Sequence, residues 1–237
     1  CSSQPTGPIQ EATGLDHCIV DAAEYIVVTD RFKGMWMVQV NNGTFVGPTG
    51  AVFDTTAVVD AGVPATNKKA VEALDVTVSR NNDYAYIANY GGGLRVVDIS
   101  NPSALSLGSY IYDLSPGNPN EYILPRRLGE EKNYGTPTIL YAIGDSVNAP
   151  GTVPHGYIMK FDITTPALPT LTTRTSIGVN TEGTALAIQQ GLDRGFAGYK
   201  DTSNGTGAVQ KYELSGLTAT GNSLATGPIM NISIGDE

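Results

Sequence analysis

The strongest constraint on the fold is a pattern that recurs four times along the 237 residues. Each copy begins with glycine, continues as a short alternating run of apolar and polar residues, and ends in Asp, Gln or Glu before a turn. The copies start at Gly34, Gly93, Gly156 and Gly207, at spacings of 59, 63 and 51 residues. A unit that recurs at such a period is typical of solenoids and propellers, because each unit needs neighbours to bury its apolar faces.

Three further strand-like tracts accompany each copy. One precedes it directly, as in Tyr84–Tyr90, where aromatic and β-branched residues suit a half-buried strand. A second tract lies upstream and a third downstream, the downstream one at residues 50–56 in the first unit and 227–233 in the last. Four strands in each of four units predict an all-β chain that forms a single β-propeller of four blades, each with four antiparallel strands.

The same pattern predicts the domain boundaries. We expect an N-terminal arm or tether at residues 1–13 and the propeller at residues 14–237. The four blades are expected at about 14–60, 70–115, 120–179 and 182–235. An arm of this kind offers a route to assembly, because it can add to the sheet of a neighbouring copy.

A glycine triplet at Gly91–Gly93 allows two interpretations. A phosphate-binding loop needs a helix N-terminus directly after its glycines, where free amides and the helix dipole hold the anion. Here an alternating β-type run follows, from Leu94 to Ile99. We therefore predict a hairpin turn that uses the positive φ angles open to glycine.

The second unit resembles a known repeat family. The tract from Tyr84 to Tyr110, YAYIANYGGGLRVVDISNPSALSLGSY, is similar to an LVIVD repeat, and Gly156–Leu171 is a second good copy. The first and fourth copies are degenerate, because Gln39 and Glu213 replace the motif aspartate. The resemblance implies a β-propeller of the kind found in exported bacterial and archaeal proteins, and it implies little about chemistry.

Charge excludes some partners. The net charge of −9 repels nucleic acid and anionic membrane surfaces, so neither is an expected partner. The sequence contains no run of about 18 apolar residues, so we predict no transmembrane segment.

The two cysteines suggest an exported protein. A start of Cys1-Ser-Ser followed by a polar stretch resembles a bacterial lipoprotein after signal cleavage, with lipid on the cysteine sulfur. A disulfide between Cys1 and Cys18, within one subunit or between two, is the alternative, and an inert pair is the third. The first two interpretations both place the protein outside the cytoplasm or at the cell surface.

Carboxylates on the innermost strands are candidate cation ligands. Asp16, Asp75 and Glu121 are expected near the central channel, where oxygen ligands suit Ca²⁺ or Na⁺. The alternative is that these side chains cap strand ends or face solvent. No other cofactor is expected.

Other polar features have weaker functional interpretations. Residues 125–132, PRRLGEEK, form the densest charge cluster and are predicted to be a solvated loop of the third blade. Asp113, Glu121 and Asp145 are the carboxylates that a glycan-acting enzyme would use. Asn42 and Asn204 lie in N-x-Ser/Thr sequons and are candidate glycosylation sites.

Together these patterns favour a non-enzymatic extracellular or cell-surface propeller with a structural or binding role. A sharper form is a fibre that grows through the N-terminal arm and the cysteines, since a head-to-tail contact that does not close makes a filament. Its partners would be further copies, cell-surface components or glycans. The alternatives are a glycan-acting hydrolase or lyase and a cation-dependent adhesion module.

Overall fold

The computed structural model describes residues 11–32, 34–41, 44–48, 72–111, 122–130, 138–147, 155–189, 191–221, 224–227, 229 and 232. All regular elements in these ranges are β-strands, arranged in four antiparallel sheets. No helix long and apolar enough to cross a membrane occurs among these residues.

The first two sheets are simple meanders of four strands. The first contains β1 (Ala12–Val20), β2 (Ala23–Asp30), β3 (Gly34–Asn41) and β4 (Thr44–Pro48). The second contains β5 (Glu72–Val78), β6 (Tyr84–Tyr90), β7 (Gly93–Asp98) and β8 (Ser106–Ile111).

The third and fourth sheets follow the same plan. The third contains β9 (Tyr122–Glu130), β10 (Ile139–Val147), β11 (His155–Asp162) and β12 (Thr170–Val179). The fourth contains β13 (Thr181–Gln189), β14 (Arg194–Asp201), β15 (Gly207–Glu213), β16 (Thr218–Ala219) and β17 (Leu224–Thr226). The last two are short and share the outer position, because both pair with β15.

The four sheets form a ring of four blades, which confirms the predicted four-bladed propeller. The first strand of each sheet lies innermost, so that β1 contacts β5, β5 contacts β9, and β9 contacts β13. The remaining strands of each sheet extend outward from the centre.

Both faces of a blade are apolar, because each packs against a different neighbour. In β6, Ala85 and Ile87 belong to the cluster shared with the first blade, whereas Tyr86 and Ala88 belong to the cluster shared with the third. A third cluster joins the third and fourth blades and includes Ile143 of β10 and Tyr212 of β15. This two-sided burial explains why the strands read as almost continuous apolar runs.

The seam between the fourth and first blades is different. No shared cluster of buried residues joins these two blades in the ranges given above. Leu15 and Ile19 on β1 are 71% and 53% exposed, although β1 is an innermost strand. The first blade therefore has one fully packed face and one face with exposed apolar side chains.

The glycine triplet and the motif aspartates form turns. Gly91 and Gly93 have φ angles of 80° and 76°, and Gly92 N–H donates to the Asn89 carbonyl over 2.7 Å. At the next corner, Asp98 Oδ1 accepts the backbone N–H of Ser100 over 3.0 Å, and Asp162 accepts that of Thr164 over 2.7 Å. The predicted hairpin is confirmed, and the motif aspartate closes a turn.

Three sequence predictions need adjustment. The outer strand of the first blade is Thr44–Pro48, and the predicted tract at residues 50–56 lies outside the described residues. Strand β1 begins at Ala12, inside the segment predicted as an arm. The outer strands of the fourth blade precede the predicted tract at residues 227–233, most of which is not described.

The prediction of a solvated loop at residues 125–132 is wrong. Pro125, Arg126 and Arg127 lie within β9, the innermost strand of the third blade, and Glu130 at its end is buried. Proline and paired arginines are typical of loops in sequence, but a proline is tolerated in a strand beside a bulge. The pairing of β9 with β10 shifts register between Pro125 and Arg127.

Candidate functional site

Each innermost strand carries one extra residue that has no partner in the pairing with its neighbour. The pairing of β1, β5, β9 and β13 shifts register at the same relative position in each blade. The residues skipped are Thr13, Leu74, Arg126 and Thr184. A β-bulge bends its strand locally and re-aims the side chain of the extra residue.

The four bulge residues all line one cavity. It has a volume of about 410 Å³ and receives side chains from all four blades. Its lining consists of Glu11, Ala12, Thr13, Arg31, Glu72, Leu74, Arg126, Arg127 and Thr184. Except for Arg31, which follows β2, these residues lie on the innermost strands or at their ends, so the cavity forms the mouth of the central channel. We call it the channel-mouth cavity.

Arg31 links the first two blades at this cavity. Its Nη1 lies 3.1 Å from Glu11 Oε1, its Nε 3.0 Å from Glu72 Oε2, and its Nη2 3.1 Å from Glu72 Oε1. The two carboxylates therefore neutralise the positive charge of Arg31 and are the ion-pair partners of its guanidinium. The contact with Glu72 consists of one charge-assisted hydrogen bond from Nη2 and an ion pair at Nε.

Arg126 links the second, third and fourth blades. Its Nε and Nη2 each lie 2.9 Å from Asp145 Oδ2, and its Nη2 lies 3.6 Å from Glu182 Oε2. The guanidinium carbon stands 4.5 Å from the centroid of the Tyr90 ring, in a cation–π contact. These contacts hold Arg126 in one place at the cavity wall.

Asp145 is almost fully buried, with 1% of its surface exposed. Its Oδ1 accepts the backbone N–H of Gly183 over 3.1 Å while its Oδ2 binds Arg126. Burial raises the pKa of this carboxyl to about 6, because the attraction of Arg126 and the Gly183 N–H offset only part of the lost hydration. The carboxylate thus joins the third blade to the fourth.

Arg127 differs from the other two arginines. Its Nη1 donates to the carbonyl oxygens of Leu74 and Arg126, each over 2.9 Å. No carboxylate of the described chain lies within ion-pair distance of it. Burial raises the pKa of the Asp75 carboxyl to about 6. The positive charge of Arg127, which lies beyond ion-pair distance, offsets part of this rise.

Two of the three predicted cation ligands accept hydrogen bonds from the next blade. Asp16 Oδ2 accepts the Val78 N–H over 2.7 Å and the Thr77 hydroxyl over 3.2 Å, and Asp75 Oδ2 accepts the Leu128 N–H over 2.9 Å. Glu121 lies outside the described residues. Within those residues, no group of three or more His, Cys, Asp or Glu side chains is placed to hold a metal ion. Asp16 and Asp75 join neighbouring blades.

The other predicted residues are scattered. Cys18 is a free, buried thiol whose pKa burial raises to about 11, while Cys1 lies outside the described residues. The structure therefore gives no support to a disulfide at Cys18. Asn204 lies in an exposed turn, where its Oδ1 accepts the backbone N–H of Thr206 over 2.8 Å. Asn42 and Asp113 fall outside the described ranges.

Fold and site define a four-bladed β-propeller with a lined cavity at its channel mouth. The family model of the LVIVD repeat matches residues 72–113, a range that includes all four strands of the second blade. This match confirms the resemblance inferred from the sequence. No curated protein sequence matches the chain.

Solved propellers share the fold at low sequence identity. The Dos1 propeller aligns with 91% of this chain and 47% of its own, with 12% identity and a TM-score of 0.53. Sqt1 of Saccharomyces cerevisiae aligns with 90% of this chain and 48% of its own, with 6% identity and a TM-score of 0.50. The chain thus spans about half the length of these two proteins, and the likeness shows the fold alone.

Proposed function

We propose that the protein is a non-enzymatic β-propeller that works outside the cytoplasm and binds a small ligand in the channel-mouth cavity. One observation carries this proposal: the bulge residues of all four blades, Thr13, Leu74, Arg126 and Thr184, line the same cavity. Bulges are over-represented beside functional sites, where they re-aim side chains. A volume of about 410 Å³ falls within the range of small-molecule pockets.

The surroundings of Asp145 support a binding role over a catalytic one. This carboxylate is buried, and its two oxygens accept hydrogen bonds from Arg126 and Gly183. A general acid or nucleophile has to reach the substrate, and Asp145 is occupied in joining two blades. The cavity wall itself presents guanidinium, hydroxyl and aliphatic groups, with both of its lining carboxylates bound to Arg31.

The location outside the cytoplasm is supported by the LVIVD match in the second blade, since the sequence resemblance is to exported proteins. Fractionation of the source cells with an antibody against the propeller tests it. We expect the protein in the surface or secreted fraction, and recovery with cytoplasmic markers would contradict this part of the proposal.

Thermal unfolding in the presence of ligands tests the binding role. Small sugars, organic acids, phosphates and amines are added separately to the wild type, to Leu74→Trp and to Leu168→Trp. The first variant fills the cavity, whereas Leu168 is 60% exposed and does not line it. At a hundred times its dissociation constant, a ligand raises the melting temperature by roughly 5–10 °C.

We expect at least one compound to stabilise the wild type and Leu168→Trp but not Leu74→Trp. Mass spectrometry after incubation should recover that compound unchanged. Equal stabilisation of both variants by a compound contradicts binding in the cavity. So does a result in which no compound stabilises the wild type or either variant. Conversion of the compound contradicts the non-enzymatic part of the proposal.

Self-assembly is a second candidate function, and one observation favours it. The exposed side chains of Leu15 and Ile19 lie on the face of the first blade that is not packed against the second. We propose that residues 1–10 of a second copy, which lead into β1, pack on this face and join subunits head to tail. A contact of this kind does not close on itself and produces a filament. Because Cys18 is buried, this version does not use it.

Sedimentation and negative-stain images at increasing concentration test the assembly. The wild type and Leu168→Ser should form filaments, while Leu15→Ser/Ile19→Ser and a chain lacking residues 1–10 should stay as single particles. Single particles of the wild type at every concentration would contradict assembly through this face.

A further inference from the structure

The charged side chains around the channel-mouth cavity are unevenly paired. Arg31 binds both Glu11 and Glu72, and Arg126 binds Asp145 with Glu182 nearby. Within the described residues, these contacts occupy both carboxylates and two of the three guanidiniums of the cavity lining. The cavity therefore offers no free carboxylate from this part of the chain to hold a cationic ligand.

Arg127 supplies the third guanidinium of the cavity lining, and some of its N–H groups have no acceptor among the described residues. Its Nη1 is used by two backbone carbonyls, whereas its Nε and Nη2 donate to no acceptor among the residues described. A guanidinium with free N–H groups on one edge matches the two oxygens of a carboxylate or a phosphate.

The cavity wall also holds a hydroxyl without a partner. Thr184 Oγ1 is buried and forms no hydrogen bond within the described chain. A buried polar group left unpaired costs about 1–3 kcal/mol, so a ligand that bonds to it removes a penalty of the free protein. Thr184 occupies the bulge of the fourth blade, and Arg127 directly follows the bulge of the third.

The volume points to an organic ligand and not to a bare ion. About 410 Å³ exceeds the space of one oxyanion several-fold, since a water molecule takes about 30 Å³ of liquid. Leu74 and Ala12 add aliphatic wall beside the polar groups. The cavity thus combines one oxyanion position with room for a small carbon skeleton.

We propose that the ligand of the channel-mouth cavity is a small organic anion whose carboxylate or phosphate group is bound by Arg127, with Thr184 as a second hydrogen-bonding group. This inference rests on the proposed binding function and names its ligand class.

Isothermal titration of the 237-residue chain tests the ligand class. The probes are succinate, glycerol phosphate and inorganic phosphate, with glycerol and ethanolamine as neutral and cationic probes. The variants are Arg127→Gln, Arg127→Lys, Thr184→Val and the cavity-filling Leu74→Trp. Arg194→Gln is the matched control, because it removes the same charge from an exposed strand position outside the cavity. Circular dichroism verifies the fold of each variant.

We expect succinate or glycerol phosphate to bind the wild type and Arg194→Gln with equal affinity. Arg127→Gln should weaken binding at least tenfold, Arg127→Lys less, and Thr184→Val several-fold. The stronger of the two organic probes identifies the oxyanion as carboxylate or phosphate, and weaker binding of inorganic phosphate supports the need for a carbon skeleton.

Three results would overturn the ligand class, and they differ in whether the proposed binding function survives. If a neutral or cationic compound binds and Leu74→Trp abolishes that binding, the cavity is a binding site but not for anions. If anions bind Arg127→Gln and Thr184→Val as tightly as the wild type, they bind elsewhere. If Leu74→Trp also leaves all binding unchanged, the proposed function fails together with the ligand class.

Discussion

The carboxylate of Asp16 in the first blade accepts a hydrogen bond of 2.7 Å from the backbone N–H of Val78 in the second. The same kind of contact recurs at the next two seams, where Asp75 accepts the N–H of Leu128 and Asp145 that of Gly183. In each case a carboxylate of one blade satisfies a backbone donor on the innermost strand of the following blade. Charged groups near the centre of this ring therefore fix neighbouring blades against each other.

Removing one of these carboxylates should loosen a seam. Asp16→Ala leaves the Val78 N–H and the Thr77 hydroxyl without their acceptor, so we expect a loss of about 1–3 kcal/mol in the free energy of unfolding. Urea unfolding measures it. Glu213→Ala removes an exposed carboxylate at the end of β15 and should change the stability by less than about 0.5 kcal/mol. Equal effects of the two substitutions would refute the role of Asp16.

Stability should increase as the pH falls from 7.5 to 5. Burial raises the pKa values of Asp75 and Asp145 to about 6, above the value of about 3.9 in an unfolded chain. The folded protein thus binds more protons than the unfolded one between these values, and protonation favours folding. Below pH 4 the trend should reverse, since hydrogen bonds from Thr164 and Ser203 lower the pKa values of Asp162 and Asp201.

Urea unfolding at pH 4.5, 5.5, 6.5 and 7.5 measures this dependence. Asp145→Asn should flatten the rise between pH 7.5 and 5, because it removes one of the two titrating groups. A wild-type protein whose free energy of unfolding decreases steadily over this interval would show that neither carboxyl titrates as the structure implies.

A glycine of β10 should tolerate no side chain. A Cβ atom added at Gly144 would overlap the Leu124 carbonyl oxygen and lie 2.8 Å from Pro125 Cα, both of them backbone atoms of the innermost strand. We expect Gly144→Ala to lower the melting temperature strongly or to prevent folding. At Gly227 an added Cβ meets no atom of the described residues within 4 Å, so Gly227→Ala is the control and should melt like the wild type.

Cys18 should be unreactive in the folded protein. Its thiol is 1% exposed, and burial raises its pKa to about 11, so little nucleophilic thiolate is present at pH 8. In a Cys1→Ser background, a thiol reagent should modify less than one tenth of the protein in native buffer and all of it in urea. Rapid modification under native conditions would mean that the first blade opens readily or that Cys18 is not packed as described.

The sequence was sufficient for the fold because the blade is a local unit. The alternation in Tyr84–Tyr90 and the run from Gly93 to Asp98 are themselves strands β6 and β7, with the bounds that the pattern indicates. The turn residues follow from local chemistry as well, since glycine allows positive φ and aspartate bonds to its own backbone. Four repetitions then leave few architectures other than a propeller.

The channel-mouth cavity could not be predicted in the same way. A bulge adds one residue to a strand without a change in composition. The repeat spacing places Thr184 on an innermost strand, but nothing in the sequence marks Thr13 or Thr184 as a bulge residue. Arg126 and Arg127 follow a proline and precede two glutamates, a pattern typical of a solvated loop. Asp145 meets Arg126 from the neighbouring strand β10, 19 residues away. Leu74, which accepts a hydrogen bond from Arg127, lies in the second blade and becomes adjacent only once the ring is formed.

The predicted cation site shows the same limit. Sequence spacing placed Asp16 and Asp75 near the centre, and both do lie on innermost strands. Whether such carboxylates meet one another or bind the next blade depends on side-chain direction, which the bulges alter. In the structure each accepts a backbone N–H of the neighbouring blade.

Paramagnetic relaxation from a single label is the most direct measurement of whether four bulges meet at one cavity. The label is attached to Leu74→Cys in a Cys1→Ser background, and the backbone amide signals are recorded with the label oxidised and reduced. We predict strong broadening at Thr13, Arg126 and Thr184, in three different blades, and much weaker broadening at Thr172 on the outer strand β12. Broadening confined to the second blade, or as strong at Thr172 as at the three bulge residues, would contradict a shared cavity at the channel mouth.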